Sequence, residues 1–218
     1  MLHLLWLVLL SLFPTESKVQ ISLYREAKTA VVVATVTLEN AASIDKVWKF
    51  KVQHLFQATQ NLQSMKQIEI PARRFIPDDA TKQYLVYADM DEGELDVFHI
   101  MSCTKELKAY MDGLLKCPDS SSLLSYVFGH LQSPDKIVAY DAYVSFKEKT
   151  EAELYAARRL YDADQLRGWL QNKDVEAYET CLYAQFLGYC GTADDVPLIE
   201  VQLNRRNKDR ISMTECLN

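Results

Sequence analysis

The sequence predicts an α+β chain: a small antiparallel β-barrel-like domain with a terminal helix, followed by a stack of antiparallel helix pairs. Three observations carry this. Between Ala30 and Ile100 apolar and polar residues alternate with a period of two, as half-buried strands require. After Cys117 the apolar residues recur at helical spacing. And the chain repeats itself: "LQSPDKIVAYDAYVSFKE" starts at Leu131, and "LQNKDVEAYETCLYAQFLGYCG" starts at Leu170, about 40 residues on.

The N-terminal segment comes first. Its apolar run from Leu4 to Phe13 stops at Pro14 and is followed by small and polar residues. That length suits the apolar region of a signal peptide and is too short to span a bilayer. The segment has no Lys or Arg ahead of the run and no Ala-x-Ala pattern after it, so cleavage near Ser17 and a mature start near Lys18 are expectations from length alone. The predicted location is outside the cytoplasm, with membrane association only through this segment if it is retained.

The strands follow in order. "AVVVATVTLE" is rich in β-branched residues, and "KVWKFKVQHLFQ" places Trp48, Phe50, Val52, His54 and Phe56 on one face. "KQIEIPAR" supplies a third, shorter strand. "QYLVYADMDEGELDVFHIM" reads as a hairpin in which Gly93 takes the positive φ that a tight turn needs. A helix from Lys105 to Lys116 ends this part.

"CPDSSS" then marks a turn, with Ser120 to Ser122 as candidate helix caps. One apolar face is formed by Leu123, Leu124, Val127, Phe128 and Leu131; a second, beyond "QSPD", by Ile137, Ala139, Tyr140, Tyr143, Val144 and Phe146. Thr150 and Glu153 have capping-box spacing at the start of a third helix. The pattern restarts at Asp164 to Gln171, breaks at "NKD", and resumes from Val175 to Cys190. The resulting partition is residues 1–17 as signal segment, 18–117 as β-rich domain, 118–204 as helical repeats and 205–218 as polar tail.

A helix–turn–helix unit recurring at this period is the pattern of HEAT and armadillo arrays. "LGYCGTADDVPLIEVQL" resembles the HEAT consensus, with Gly191 at the inter-repeat break and Pro197 in the first turns of the next helix. The strand order over Val31 to Leu115 resembles the netrin-like, tissue-inhibitor-of-metalloproteinase type of oligonucleotide/oligosaccharide-binding-like barrel. In that inhibitor family an N-terminal Cys reaches the target metal, and "SKVQISLYREAK" offers none. From Tyr84 to Leu203 the arrangement is similar to exported bacterial proteins, of no assigned activity, that join a small β domain to HEAT repeats. That resemblance implies an architecture and a compartment.

Composition narrows the chemistry. A net charge of −6, with 30 carboxylates against 24 Lys and Arg, gives nucleic acid nothing to bind. The basic stretch from Asn204 to Arg210 reads as a solvated tail. Five cysteines, Cys103, Cys117, Cys181, Cys190 and Cys216, have no C-x-x-C spacing and read as small buried residues. Cys181 and Cys190 lie on opposite faces of one helix and cannot pair. The histidines (His3, His54, His99, His130) have no ligand spacing, and His54 reads as a hydrogen-bonded core residue. The acidic tip Asp91, Glu92, Glu94 and Asp96 does not fit an EF-hand loop. No nucleophile elbow or phosphate loop is present. No catalytic, metal or cofactor-binding residue is assigned, and no cofactor is expected. The expected role is a non-enzymatic module whose helical surface holds another protein or peptide, with Tyr140, Tyr143, Tyr161, Tyr178, Tyr183 and Tyr189 enriching that half. The alternative is an inhibitor or ligand-binding role centred on the β domain.

Overall fold

The computed structural model describes residues 21–40, 47–72 and 74–204. The expected signal segment, its cleavage point, Cys216 and the basic tail lie outside the described residues. Within them the chain is α+β, with a nearly closed five-stranded antiparallel sheet followed by helices. The strands are β1 (Val32–Asn40), β2 (Val47–Ala58), β3 (Gln67–Pro71), β4 (Gln83–Asp91) and β5 (Glu94–Ser102), hydrogen-bonded in the order β3-β2-β1-β4-β5. The edge strands β3 and β5 approach each other. An ion pair between Arg74 and Asp96 links the two edges.

Inside the curl lie Val32, Ala34, Val36, Phe50, Ile68, Ile70, Tyr84, Val86, Ala88 and Val97, all buried. The outward residues Val33, Leu85 and Tyr87 are also buried, because helices cover that face. First comes α1 (Leu23–Thr29), capped by Ser22, whose side chain accepts the N–H of Arg25. The period-two reading did not anticipate α1. Then α2 (Lys105–Leu114) follows β5, two residues shorter than expected, and contributes Leu107, Tyr110, Met111 and Leu114.

The helical half contains α3 (Ser120–Phe128), α4 (Lys136–Lys147), α5 (Glu151–Ala156), α6 (Ala163–Gln171) and α7 (Ala177–Cys190), with helical backbone again over 196–204. One continuous apolar cluster runs from Leu23 through the outer sheet face and α2 to Phe186 and Leu187. Burial of this area is the main favourable term holding the helices on the sheet.

Several local expectations are met and several are corrected. Thr150 and Glu153 form the capping box of α5. At α3 the cap is Asp119, not one of the serines, and Ser122 bonds back to it. Asp135 caps α4 by accepting from Ile137 and Val138, and the cap of α7 is Glu176. Both residues of the hairpin turn have positive φ, Glu92 at 50° and Gly93 at 89°. Cys103, Cys117, Cys181 and Cys190 are unpaired, but Cys181 is exposed and only Cys117 is buried.

The largest correction concerns faces. β2 pairs with β1 as Ala34↔Leu55, Thr35↔His54 and Val36↔Val52, so an extra β2 residue intrudes between the last two pairs. This β-bulge reverses the alternation. His54 turns outward and is half-exposed, its Nε2 lying 3.2 Å from Asp112 Oδ1, while Phe56 packs with the helices. A bulge therefore separates His54 and Phe56 from Trp48, Phe50 and Val52.

Candidate functional site

A register shift in the β4–β5 pairing builds the site. Tyr87 pairs with His99 and Ala88 with Val97, leaving Phe98 as the extra residue. Val97 and Ile100 pack with the barrel interior, whereas His99 and Met101 stand on the outer face. Without the bulge, strict alternation would send His99 inward with Val97. Bulges often re-aim a side chain in this way.

On that outer face His99 meets α1. Its Nδ1 lies 2.5 Å from Glu26 Oε2, and its ring stacks on Tyr87 with centroids 5.6 Å apart. A proton on Nδ1 lets Glu26 accept this bond, so the contact engages one ring nitrogen and leaves Nε2 out of it. Nε2 makes no hydrogen bond to any described residue. The Glu26 side chain is 14% exposed.

Helix α4 closes the other side. Its buried stripe is Val138, Asp141, Ala142, Val144, Ser145 and Phe146, rotated from the expected face. Ile137, Tyr140 and Tyr143 lie at the margin of that stripe. Asp141 takes a core position because its lone pairs are satisfied: Oδ1 accepts the Leu23 N–H at 2.6 Å and Oδ2 accepts the Tyr110 hydroxyl at 2.7 Å. Glu148, two turns further along, accepts both the N–H and the hydroxyl of Ser22 at 2.8 Å. Asp141 of α4 and Glu148 at its C-cap thus hold the positive end of the α1 backbone, which favours negative charge. Burial nonetheless dominates Asp141, pushing its carboxyl up to about 6 against the two hydrogen bonds that lower it.

Between α1, β5 and α4 a cleft of about 390 Å³ remains. Ile21, Leu23, Phe98, Met101, Ile137, Tyr140 and Val144 form its apolar walls, and Glu26, His99 and Asp141 its polar floor. Beyond Tyr140 the aromatic surface continues: the Tyr143 and Tyr178 rings meet edge to face at 4.6 Å, and Tyr140 and Tyr178 at 6.1 Å. Tyr178, on α7, is exposed. The remaining tyrosines of the helical half divide: Tyr161 and Tyr183 are buried, the latter accepting from Gln132 at 2.6 Å, and Tyr189 is half-buried.

None of the cleft's polar residues is assigned a role from sequence. Glu26 and His99 are 73 positions apart, and Leu23 and Asp141 are 118 apart. The bulge that turns His99 outward leaves no compositional mark. The one available signal is Asp141 itself, a carboxylate inside an apolar helical run. His130 joins no ligand cluster: its Nδ1 lies 2.9 Å from the Tyr126 carbonyl. The acidic hairpin tip contributes Asp96 to the Arg74 pair, and no group of three or more metal-ligating side chains occurs among the described residues. Among those residues no helix is long and apolar enough to cross a membrane. Neither a family model nor a curated protein matches the chain.

Proposed function

We propose that this chain is an exported, non-enzymatic interaction module whose HEAT-type helix pairs hold a partner protein or peptide. The observation that carries this reading is the tyrosine surface of Tyr140, Tyr143 and Tyr178. It joins α4 and α7, the second helices of the α3–α4 and α6–α7 pairs. Tyrosine supplies contact area and a polar tip at low entropic cost, and is enriched at interfaces for that reason. Stacked helix pairs commonly present such surfaces to other chains.

The repeat reading is supported by the order helix, polar break, longer helix in both α3–α4 and α6–α7, the two copies of the repeated line spanning each break and the longer helix after it. It is also supported by the start of a further helix after Gly191. There Arg167 of α6 makes a two-point contact with Asp195, at 2.6 and 2.9 Å, tying one helix pair to the segment that follows it. The strand order β3-β2-β1-β4-β5, with its edges approaching, supports a netrin-like barrel for the β domain. A second reading, ligand binding centred on that barrel, is favoured by Phe98, a β5 residue 49% exposed at the cleft wall.

The test is capture from an envelope extract with the immobilised full chain and with the double variant Tyr143→Ser/Tyr178→Ser. The interaction reading expects a discrete protein retained by the full chain and released by the variant. Equal capture by both would move the working surface away from the tyrosines.

A further inference from the structure

We propose that the cleft between α1, β5 and α4 binds a small organic ammonium: a primary amine carried on an aliphatic or aromatic body. The walls select the body. Seven apolar or aromatic side chains line about 390 Å³, toward the lower end of the roughly 300–1,000 Å³ typical of ligand pockets. A body of hexyl or phenethyl size suits that space.

The floor selects the charge. Among the described residues lining the cleft, the ionisable groups are Glu26, Asp141, His99 and Tyr140; two are carboxylates, and none is Lys or Arg. Both carboxylates are removed from water, with Glu26 14% and Asp141 5% exposed, so their field is screened little. The one imidazole of the lining is already engaged with a carboxylate, its Nδ1 lying 2.5 Å from Glu26 Oε2. A donor carrying positive charge complements this floor, and an anion is repelled by it. Phe98 and Tyr140 bring aromatic rings to the lining, and aromatic rings attract cations.

The experiment is calorimetric titration of the full chain at pH 7.5 with n-hexylamine, n-hexanol and n-hexanoate, which share a body and differ in head group. Saturable one-to-one binding of the ammonium is expected, with hexanol at least about tenfold weaker, the step that one charge-assisted hydrogen bond supplies. Hexanoate should not bind. Glu26→Gln should weaken the ammonium about tenfold by the same reasoning. Should that variant fail to fold, Ile137→Lys remains: position 137 is 38% exposed, and a lysine there places a resident ammonium at the cleft mouth. A folded Ile137→Lys protein, verified by circular dichroism, should lose hexylamine binding. Hexanol or hexanoate binding as tightly as hexylamine, no saturable binding of hexylamine, or unchanged binding by Ile137→Lys would each overturn the proposal.

Discussion

Asp141, in the middle of α4, accepts the backbone N–H of Leu23 at 2.6 Å across 118 positions of sequence. Its second oxygen accepts from Tyr110 of α2. One carboxylate therefore joins α1, the helix that follows the sheet, and the α3–α4 pair. Asp141→Ala leaves both donors buried without an acceptor, at about 1–3 kcal/mol each, and should lower the unfolding free energy by about 2–6 kcal/mol in urea titration. Tyr110→Phe keeps the Leu23 bond and should cost about 1 kcal/mol.

The same residue sets a pH dependence. Its folded carboxyl titrates at about 6, above the reference 3.8, so the folded state holds the proton more tightly than the unfolded chain. The contribution to stability is fully present below about 3.8 and is lost as pH rises through about 6. Between pH 4 and 7 wild type should lose stability relative to Asp141→Asn by on the order of 3 kcal/mol, from a displacement of 6 − 3.8. Parallel denaturant titrations at pH 4, 5, 6 and 7 read this difference. A flat difference would show that Asp141 is solvated. Asp195 works oppositely: the Arg167 guanidinium holds its carboxyl well below 3.8, so its contribution is present above that pH and lost in stronger acid.

At the β4–β5 turn, Glu92 holds φ at 50° without the freedom of glycine. Asparagine tolerates this left-handed conformation better and, followed by Gly93, completes the favoured two-residue hairpin turn. Glu92→Asn should raise the unfolding free energy by about 0.5–1 kcal/mol. A thermal melt tests the sign.

At the α2–α3 contact there is no room for a side chain on Gly113. A Cβ there would lie 2.2 Å from the Tyr126 hydroxyl oxygen and 2.4 Å from its ring carbon Cζ. Gly113→Ala must displace the Tyr126 ring, which stacks on Tyr110 and donates to the Tyr110 carbonyl at 3.0 Å. Overpacking of this kind costs about 1–3 kcal/mol. The near-ultraviolet circular dichroism should also change.

The elements that could be read from sequence are those fixed by local rules. Five strands, the hairpin at Gly93, the capping box at Thr150 and the helix pairs follow from periodicity and from residues a few positions apart. What escaped depends on distant partners or on one inserted residue. The face of His54 reverses at a bulge that neither residue type nor spacing announces. No burial is read for Asp141 from sequence because its two donors lie on α1 and α2. Ile137, Tyr140 and Tyr143 read as core for the same reason, since a buried Asp141 rotates α4 and brings them to the margin. The cleft could not be read because its floor is assembled from α1, β5 and α4. The tyrosine enrichment was visible, but its division into buried Tyr161 and Tyr183 and exposed Tyr178 was not.

Site-specific photo-cross-linking in the producing cells addresses the interaction surface whatever the identity of the partner. With p-benzoylphenylalanine at position 178, beside Tyr143, irradiation should give one discrete higher-mass adduct. With the same group at position 76, where Ile76 is 76% exposed on the β domain, it should give none. An adduct from position 76 with none from position 178 would contradict a partner-binding role for the helical surface.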